Sequence, residues 1–569
     1  MKNLNYLGFA FSIAILSCGL NCARAEPGDR QFSRVVEDFV FGSLALSPVT
    51  ASTVGYHKHH DEMLEDRLDD FSAAGIKASI NLQRDIEARI ERLDPKVLNA
   101  EQRADIDIIR DAIQATRLDI EEVQSYRHNP TIYVELVGNA LYTPYVLHYA
   151  AADERFKHII QRLIRIPQLV RQGEQNLVDS PEIWNKVARE ENAGNIDLID
   201  GVLRSSCPKA LMHDYTEAAG PALIALRAFN EFLEGTLSKK TSDWRLGKVR
   251  YAKKFSYVLA TGKTPDALLK EAEADLNKTR DEMVQLSAPH SVEEALAEVA
   301  QHHATPRTYM ASAKQSLATA TAFVREKDLV TLPPNSNLQV IDTPVFMRGI
   351  YGVGGFNQAP ALEPRLGAFY WVTPIAESWP QPRIDSKLRE YNDSGLAHLT
   401  VHEAMPGHYV QAEYANDLQP RSRRLLRGIF GNGPYVEGWA VYSQQLMAEQ
   451  GYLSDTPGYR LTLAKQKLRV LANTILDVRL QTLEMSDQEA LDFMTKGTYQ
   501  ELEEATAKLQ RAKLSSCQLP TYFAGYVGWL AVRDHFKATH GDAVSLKQFH
   551  EAALREGAVP LPVLDELLN

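Results

Sequence analysis

The sequence predicts a mainly α-helical protein with two lobes and a small β-sheet in the second lobe. Apolar residues recur at intervals of three and four along most of the chain, which is the spacing of one buried helix face. After residue 330 this pattern gives way to a stretch rich in Pro, Gly and aromatic residues, and it resumes at Ser386. We therefore expect one lobe at residues 26–330 and a second at residues 331–569, joined as one continuous unit.

The composition excludes several classes of protein. Of the 569 residues, 44% are hydrophobic and 24% are charged, as in ordinary globular domains. A disordered chain is excluded, and a chain of this length can bury a large core. The 73 acidic residues outnumber the 62 basic ones, which gives a formal net charge of -11. Nucleic-acid binders usually carry a basic surface, so no nucleic-acid partner is expected.

Residues 1–25 have the features of a secretory signal peptide. A short basic start precedes an apolar run over residues 7–20, which is too short to span a bilayer stably. Ala23, Arg24 and Ala25 form a small-x-small cleavage site, so we expect the mature chain to begin near Glu26. This pattern predicts export to the periplasm or the extracellular space.

Two alternatives to a cleaved secretory peptide stay open. Cys18 follows Ser17 and could receive a lipid anchor, although the bulky Leu16 fits a lipoprotein motif poorly. An uncleaved membrane anchor would need a longer apolar run. No later segment approaches the ~18 uninterrupted apolar residues of a membrane span, so no transmembrane helix is expected after the leader.

Residues 26–330 show the pattern of successive amphipathic helices. Residues 151–173 and 220–237 place apolar side chains on one helical face. Thr264 and Pro265 predict a helix start, because threonine caps free backbone N–H groups and proline fits the first helical position. Ser291, followed by two glutamates after one valine, predicts another start.

Two segments of the second lobe predict β-strands. Residues 338–346 and residues 367–373 are rich in strand-forming side chains, and Gly and Pro lie around them. Of the cysteines outside the leader, Cys207 and Cys517 either pair or remain separate buried thiols. The sequence leaves both alternatives open, because it does not give the distance between them.

The segment His402-Glu403-Ala-Met-Pro406-Gly407-His408 carries the clearest chemical signal. In the common zinc-peptidase pattern two histidines four residues apart share one helix face, with a glutamate beside the first. Here Pro406 occupies the fourth position. Six residues at about 100° each place His408 roughly 240° round an ideal helix from His402. A regular helix would therefore not direct both rings to one ion.

Pro406 and Gly407 indicate how the two histidines can still meet. Proline cannot donate a backbone hydrogen bond to the carbonyl of His402, and glycine accepts unusual dihedral angles. We therefore predict a widened helical turn at residues 404–407, a bulge or break that returns His408 towards His402.

The residue types predict a catalytic Zn²⁺ site. Neutral imidazoles and a carboxylate suit zinc, which keeps one position for water in catalytic sites. The metal lowers the pKa of that water and polarises the scissile carbonyl, while Glu403 would carry the water's proton to the leaving amine. Glu437 is the candidate third ligand, because it stands in an apolar, aromatic stretch and a buried carboxylate needs a partner. An ion pair between Glu437 and an arginine elsewhere in the chain is the alternative.

The metal motif and the segment Glu437-Gly-Trp-Ala resemble those of the family named domain of unknown function 885 (DUF885). That family resembles a distant, zincin-like branch of the zinc-peptidase clan, with thimet-oligopeptidase-like and carboxypeptidase-like helical folds. The resemblance covers nearly the whole mature chain. Weaker matches are the segment from Ser47 to His57, Thr264-Pro265, Gly367-x-Phe369-Tyr370, Arg511 and Gln518-x-x-x-Tyr522-x-x-Gly525.

The resemblance implies a zincin-like metallopeptidase fold in which residues 331–569 form the metal-binding catalytic lobe. It implies that the zinc ligands are His402, His408 and Glu437 and that Glu403 is the general base.

The resemblance also implies substrate contacts. It makes Tyr522 a candidate hydrogen-bond donor to the oxyanion, and Arg511 a candidate partner of a substrate carboxylate. The strand at residues 367–373, with Phe369 and Tyr370, would bind an extended peptide as an edge strand. Purely structural roles for Tyr522 and Arg511, and simple packing of the strand aromatics, are the alternatives.

Three residues depart from the family pattern. Gln444 stands where relatives often have Glu, Gln481 stands where they often have His, and Tyr409 replaces a frequent second histidine after His408. These departures change groups around the ligands and leave the ligands intact, so they bear on substrate choice more than on metal binding.

The sequence thus predicts an exported zinc metallopeptidase, and the resemblance implies that its substrates are oligopeptides. A zinc amidase acting on a non-peptide amide is the alternative among enzymes. A catalytically silent binding or scaffold protein that keeps the fold is the alternative from another class. The intact Glu403 argues against the silent protein, because such a site needs no base beside a ligand. Exo- and endo-cleavage are both compatible with the sequence.

Overall fold

The structure, a computed structural model, describes residues 27–333, 337–348, 352–456, 458–541 and 543–569. The predicted signal peptide, residues 1–25, and Cys18 within it lie outside the described residues. Most described residues are helical and the strands are short, so the predicted mainly α class is confirmed. Among the described helices, none combines the length and the apolar character that crossing a membrane requires.

The first part of the chain is a succession of helices with one short hairpin, β1 (Lys58–His59) paired antiparallel to β2 (Glu62–Met63). Its described α-helices are α1 (Pro27–Leu46), α2 (Pro48–Thr53), α3 (Ala73–Ile90), α4 (Ala100–Arg117), α5 (Ser125–His128), α6 (Thr131–Val146), α7 (Ala152–Asn176), α8 (Glu182–Asp197), α9 (Arg204–Ser206), α10 (Met212–Gly235), α11 (Gly247–Leu259), α12 (Pro265–Ser287), α13 (Val292–Val299) and α14 (Tyr309–Glu326).

The second part begins with a sheet of three strands, β3 (Leu338–Asp342), β4 (Gly354–Asn357) and β5 (Ala368–Val372). The described α-helices that follow are α15 (Gln381–Glu390), α16 (Asp393–Glu403), α17 (His408–Asn416), α18 (Arg421–Ile429), α19 (Gly433–Glu449), α20 (Tyr459–Gln481), α21 (Asp487–Asp492), α22 (Leu502–Leu514), α23 (Pro520–His540), α24 (Leu546–Arg555) and α25 (Leu561–Leu568).

The predicted helix starts are confirmed at two caps. The Thr264 hydroxyl accepts a hydrogen bond from the backbone N–H of Ala267 at 3.2 Å, and Pro265 is the first residue of α12. Ser291 and Glu294 form a reciprocal capping box at the start of α13. The helix predicted at residues 220–237 corresponds to α10. It begins earlier, at Met212, and continues through Pro221.

The order of the sheet, β3-β5-β4, corrects the prediction that residues 367–373 form an edge strand. β5 pairs parallel with β3 on one side and antiparallel with β4 on the other. Both edges of β5 are therefore used inside the sheet, and neither is open to a peptide. The two edge strands are β3 and β4, and the paired glycines of β4 gave no strand signal in the sequence because glycine is a poor strand former.

The largest apolar core draws on both predicted lobes. It contains Phe32 and Ile109 from before residue 330, and Tyr370 and Trp439 from after it. A second core is built from residues 133–237 alone. The division into two lobes at residue 330 stays a prediction.

Cys207 and Cys517 are separate buried thiols. Cys207 packs in the core of residues 133–237, whereas Cys517 packs in a different core with Tyr251. Of the two alternatives that the sequence left open, the structure has the unpaired thiols.

Candidate metal centre and its cavity

The two motif histidines lie on separate helices. α16 ends at Glu403 and α17 begins at His408. Between them the chain turns back, and the Gly407 N–H donates to the Val401 carbonyl at 3.0 Å. A β-carbon on Gly407 would lie 1.9 Å from the His402 carbonyl oxygen, so glycine is required there. The predicted disruption is therefore present, as a complete break between two helices rather than a widened turn.

Trp439 holds this break against α19. Its indole N–H donates to the carbonyls of Pro406 at 2.8 Å and Gly407 at 3.1 Å. Trp439 is fully buried, and it follows Glu437 by two residues on α19. The helix that carries the candidate third ligand therefore also positions the break that leads into His408.

α19 and α23 cross in close contact beside this break. Asn432 caps α19 by accepting the backbone N–H of Tyr435 at 3.0 Å. A β-carbon on Gly438 would lie 2.4 Å from the Cα of Gly525 on α23, so only two glycines allow the helices to approach this far. The crossing places Tyr522, one turn before Gly525, beside the candidate ligands.

His402, His408 and Glu437 converge as the sequence predicted. Their candidate ligand atoms all lie within 4.8 Å of one another. The Nε2 atoms of His402 and His408 lie 3.6 and 3.4 Å from Glu437 Oε2. The two rings are nearly perpendicular, at 81°, with centroids 4.8 Å apart. The three side chains are largely buried, at 13%, 12% and 19% exposure.

The donor set fits a zinc ion. Glu437 Oε2, the oxygen nearest to both histidines, is buried and has no hydrogen-bond partner among the described residues. Burying such an oxygen is costly unless something satisfies it. The three potential ligand atoms therefore lie close together, yet Glu437 Oε2 receives a hydrogen bond from neither histidine. Two imidazoles and one carboxylate are one of the protein ligand sets found in catalytic zinc sites, where the fourth position is left for water.

The electrostatics of the cluster keep Glu437 ionised. Burial raises the pKa of Glu437, but His402 and His408 lower it more, so that it lies well below its usual range. Burial lowers the pKa of His408, but the Glu437 carboxylate raises it above its usual value. Only the neutral form of His408 can bind a metal, so metal binding and proton release are coupled at this residue.

Glu403 lies at the end of α16 and lines the same cavity as the three candidate ligands. The helix that presents it is attached to the sheet, because the hydroxyls of Tyr370 and Thr400 lie 3.3 Å apart in the core. Tyr370 is fully buried, and Phe369 packs with Leu147 in a small apolar cluster. Phe369 and Tyr370 do not line the cavity. Phe369 packs in the apolar cluster and Tyr370 contacts α16, so these contacts take the place of the predicted substrate contact.

Tyr522 and Arg511 form a hydrogen-bonded group with Gln518. The Tyr522 ring lies almost parallel to that of His402, at 16°, with centroids 6.0 Å apart. Gln518 Nε2 donates to the Tyr522 hydroxyl at 3.3 Å and to Glu437 Oε1 at 3.4 Å. Arg511 donates to Gln518 Oε1 at 3.2 Å and to the Tyr522 hydroxyl at 3.3 Å.

The Tyr522 hydroxyl is suited to donate a hydrogen bond into the cavity. Burial raises its pKa to about 12, so it keeps its proton at neutral pH. Because this oxygen accepts from Gln518 and Arg511, its own proton is the group that remains to be donated.

The candidate metal ligands and the residues around them line one cavity of about 350 Å³. His402, His408, Glu437, Glu403, Tyr522 and Arg511 all line it. Residues 352–356, which include most of β4, line another part of the wall. The edge strand at the site is therefore β4, which the sequence did not indicate.

Sequence reasoning missed five polar residues of the cavity wall, which are Tyr391, Gln466, Arg469, Asn473 and Lys508. They come from three separate parts of the chain, so no local motif joins them. The spacing of three between Lys508 and Arg511 is the signal that could have indicated a shared face of α22.

The three departures from the family pattern have different surroundings. Gln444 lines the cavity and donates to the His398 carbonyl of α16 at 2.9 Å, so it supports the helix that carries His402. Gln481 is buried and accepts the backbone N–H of Leu246 at 3.0 Å, outside the cavity wall. Tyr409 is buried and donates to Asn337 at 3.1 Å. Only Gln444 of the three is therefore placed to affect a substrate directly.

Comparison with known proteins gives the family and the fold. The model of a family described as bacterial proteins of unknown function, DUF885, matches residues 48–568, so the chain belongs to that family. No curated protein matches the chain. A structure from Shewanella oneidensis, described provisionally as a lipoprotein of unknown function, is 25% identical and has a TM-score of 0.77, covering 94% of this chain and 99% of its own. A structure from Colwellia psychrerythraea, described provisionally as a lipoprotein, is 16% identical with a TM-score of 0.77, covering 95% of this chain and 98% of its own.

Proposed function

We propose that this member of the DUF885 family is an exported, zincin-like zinc metallopeptidase that hydrolyses oligopeptides. The observation that carries the proposal is the convergence of His402, His408 and Glu437 within 4.8 Å, in a cavity that Glu403 also lines. A structural zinc site is usually closed by four protein ligands. Three candidate ligands beside an acidic residue and a cavity favour a catalytic site instead.

Each residue of the site would have a distinct task. His402, His408 and Glu437 would hold the zinc, which when bound activates a water molecule and polarises a carbonyl group. Glu403 would take a proton from water and deliver it to the leaving amine. Tyr522 would donate its remaining proton as a hydrogen bond to the oxygen on which negative charge develops. Arg511 and Gln518 hold the Tyr522 hydroxyl in place.

The outer edge of β4 supports a peptide as the substrate. Residues 352–356 line the cavity, and within the described part of the chain β4 pairs through one edge, with β5. The backbone groups of the other edge can pair with an extended peptide main chain. A non-peptide amide would not use this edge, so we place peptides ahead of the amidase alternative.

Two experiments test the proposal. Purified wild-type protein is expected to contain stoichiometric zinc and His402→Ala to contain none, as measured by elemental analysis. A wild-type protein without stoichiometric zinc would exclude the mechanism.

Glu403→Gln is expected to keep its zinc and to cleave a peptide library more slowly by a factor on the order of 1,000. Turnover at the wild-type rate would show that Glu403 is not the base, and no cleavage by zinc-loaded wild type would favour the scaffold alternative.

Export is also part of the proposal. The descriptions of the two similar structures as provisional lipoproteins support export and strengthen the lipid-anchor alternative at Cys18. Fractionation of cells that express wild type and Cys18→Ser separates the two forms. A lipid-anchored protein would leave the membrane fraction in the variant, whereas a cleaved secretory protein would fractionate identically in both.

A further inference from the structure

We propose that Lys508 binds the terminal carboxylate of the peptide substrate, which makes the protein a carboxy-terminal exopeptidase. This inference rests on the proposed function and names the end of the peptide that enters the cavity.

The region around Lys508 contains more cations than carboxylates. Lys387 and Lys465 are buried and donate to Glu504 at 3.1 Å and Glu390 at 2.7 Å. The guanidinium of Arg469 lies 3.6 Å from Glu390 and 3.5 Å from Glu504. Three cations therefore already share two buried carboxylates before Lys508 is counted.

Among the residues that the structure describes, Lys508 has no carboxylate partner. It is only 8% exposed, and its ammonium donates to the side-chain oxygen of Asn473 at 2.5 Å. In the part of the chain that the structure describes, no ion pair joins Lys508 to an acidic side chain. Burial, followed by repulsion from Arg469 and Arg511, lowers the pKa of Lys508 well below its usual range. A buried ammonium is costly without a counter-charge, so this group favours a bound anion.

The position of Lys508 indicates which anion. Lys508, Asn473 and Arg469 line the cavity that also contains the candidate metal centre. Arg511 lies on the next turn of α22 and bonds to Tyr522, whose ring lies beside that of His402. An anion at Lys508 would therefore lie in the same cavity as the candidate metal centre, where one extended substrate could contact both.

The size of the cavity favours the end of a peptide over a continuing chain. Its volume of about 350 Å³ lies at the small end of the range for ligand pockets. A carboxylate beyond the scissile bond comes from the main-chain terminus or from an acidic side chain. The terminus is present in every peptide, so we assign Lys508 to the terminal carboxylate and test the side chain separately.

The test compares three blocked peptides that differ at one end: a free acid, its C-terminal amide, and an amide whose last residue is glutamate. Wild type is expected to cleave the free acid at least about ten-fold faster in kcat/KM than the amide, because a charge-assisted hydrogen bond is lost in the amide. Equal rates on acid and amide would overturn the proposal. Cleavage of the glutamate amide at the rate of the free acid would overturn the terminal assignment in favour of an acidic side chain.

Three variants test whether Lys508 is responsible. Lys508→Met is expected to bring the acid-to-amide ratio close to one. Asn473→Asp, which is nearly isosteric, would place a carboxylate beside the ammonium and is expected to remove the preference as well. Lys513→Met is the control, because Lys513 lies on the same helix, pairs with Asp487 and does not line the cavity. An acid preference that persists in Lys508→Met, or disappears in Lys513→Met, would contradict the assignment.

A binding measurement separates this proposal from the proposed function. Calorimetry with Glu403→Gln compares the affinity of the free acid and the amide without turnover. If wild type cleaves no peptide, the proposed peptidase activity fails, yet a Lys508-dependent preference for the acid would still support the carboxylate site. Equal affinity for both ligands would overturn the carboxylate site even if peptides are cleaved.

Discussion

The cluster of His402, His408 and Glu437 and the cluster around Lys508 line one cavity and differ in the charge that each lacks. In the first cluster, potential ligand atoms gather around a buried carboxylate oxygen that has no hydrogen-bond partner among the described residues. In the second, Lys508 adds a buried cation to a region where the carboxylates are already shared.

The difference between the two clusters identifies a different partner for each. Buried polar and charged groups are costly unless they are paired, so a group left without a partner indicates what binds there. The first cluster fits a cation and the second fits an anion. A peptide whose scissile carbonyl lies at the zinc and whose carboxylate lies at Lys508 would satisfy both clusters at once.

Removing a ligand should give the largest effect and should break only the first cluster. His408→Ala is expected to lose stoichiometric zinc and to reduce peptide cleavage to background, because two protein ligands hold zinc poorly. Elemental analysis and the peptide assay measure these losses. The preference for binding a free acid over an amide should persist, since Lys508 is intact. Stoichiometric zinc in His408→Ala would contradict the ligand set.

A methyl group at the helix break should disturb the first cluster through the backbone. Gly407→Ala is expected to lower the free energy of unfolding by about 4 kcal/mol, because the added β-carbon would lie 1.9 Å from a carbonyl oxygen. Gly428→Ala is the control, since Gly428 is an exposed residue of α18 with open space beside it. The control should be neutral or stabilising by about 0.5 kcal/mol. Equal stability of the two variants in denaturant unfolding would exclude a close approach at Gly407.

The same substitution at two buried lysines should separate a paired cation from an unpaired one. Lys387→Met removes a partner of Glu504 and is expected to lower the free energy of unfolding by about 3 kcal/mol. Lys508→Met removes a cation without a carboxylate partner and is expected to leave stability unchanged or to increase it. Thermal unfolding of both variants measures the difference. Equal losses would mean that Lys508 is paired after all.

The pH dependence of stability also tests whether Lys508 is a buried amine without a paired carboxylate. The folded state lowers the pKa of Lys508, so the unfolded state binds more protons between that lowered pKa and the usual lysine value. Wild-type stability should therefore rise with pH through this window relative to Lys508→Met. Parallel pH profiles of the two proteins would contradict the lowered pKa.

The smallest expected effect is at Gln518, which connects the two clusters through Glu437 and Arg511. Gln518→Ala is expected to weaken zinc affinity by about ten-fold, because a group that hydrogen-bonds a ligand orients it. Gln445→Ala is the control, since Gln445 bonds to Glu449 on the surface of α19. Zinc competition with a chelator measures both. Identical affinities in the two variants would show that Gln518 does not support the ligand.

The sequence was most informative where the chemistry is local. His402, Glu403 and His408 lie within seven residues, and Pro406 and Gly407 between them indicated a disruption of the helix. The kind of disruption was wrong in detail, because the hydrogen bond from Gly407 back into α16 and the contact with Trp439 arise only on folding. The substrate role that the resemblance implies for Phe369 and Tyr370 needs an open strand edge, and a strand pattern does not show which of its edges is paired.

The sequence by itself determined the mainly helical class, several helix starts and the set of candidate ligands, because periodicity, capping and motif spacing act over a few residues. Tertiary structure alone decided that β5 is a central strand, that Gln518 contacts Glu437 and that no carboxylate of the described chain pairs with Lys508. The physical reason is that strand order and the balance of buried charge depend on which distant segments meet. Those meetings are set by the packing of the whole chain, and no short stretch of sequence contains them.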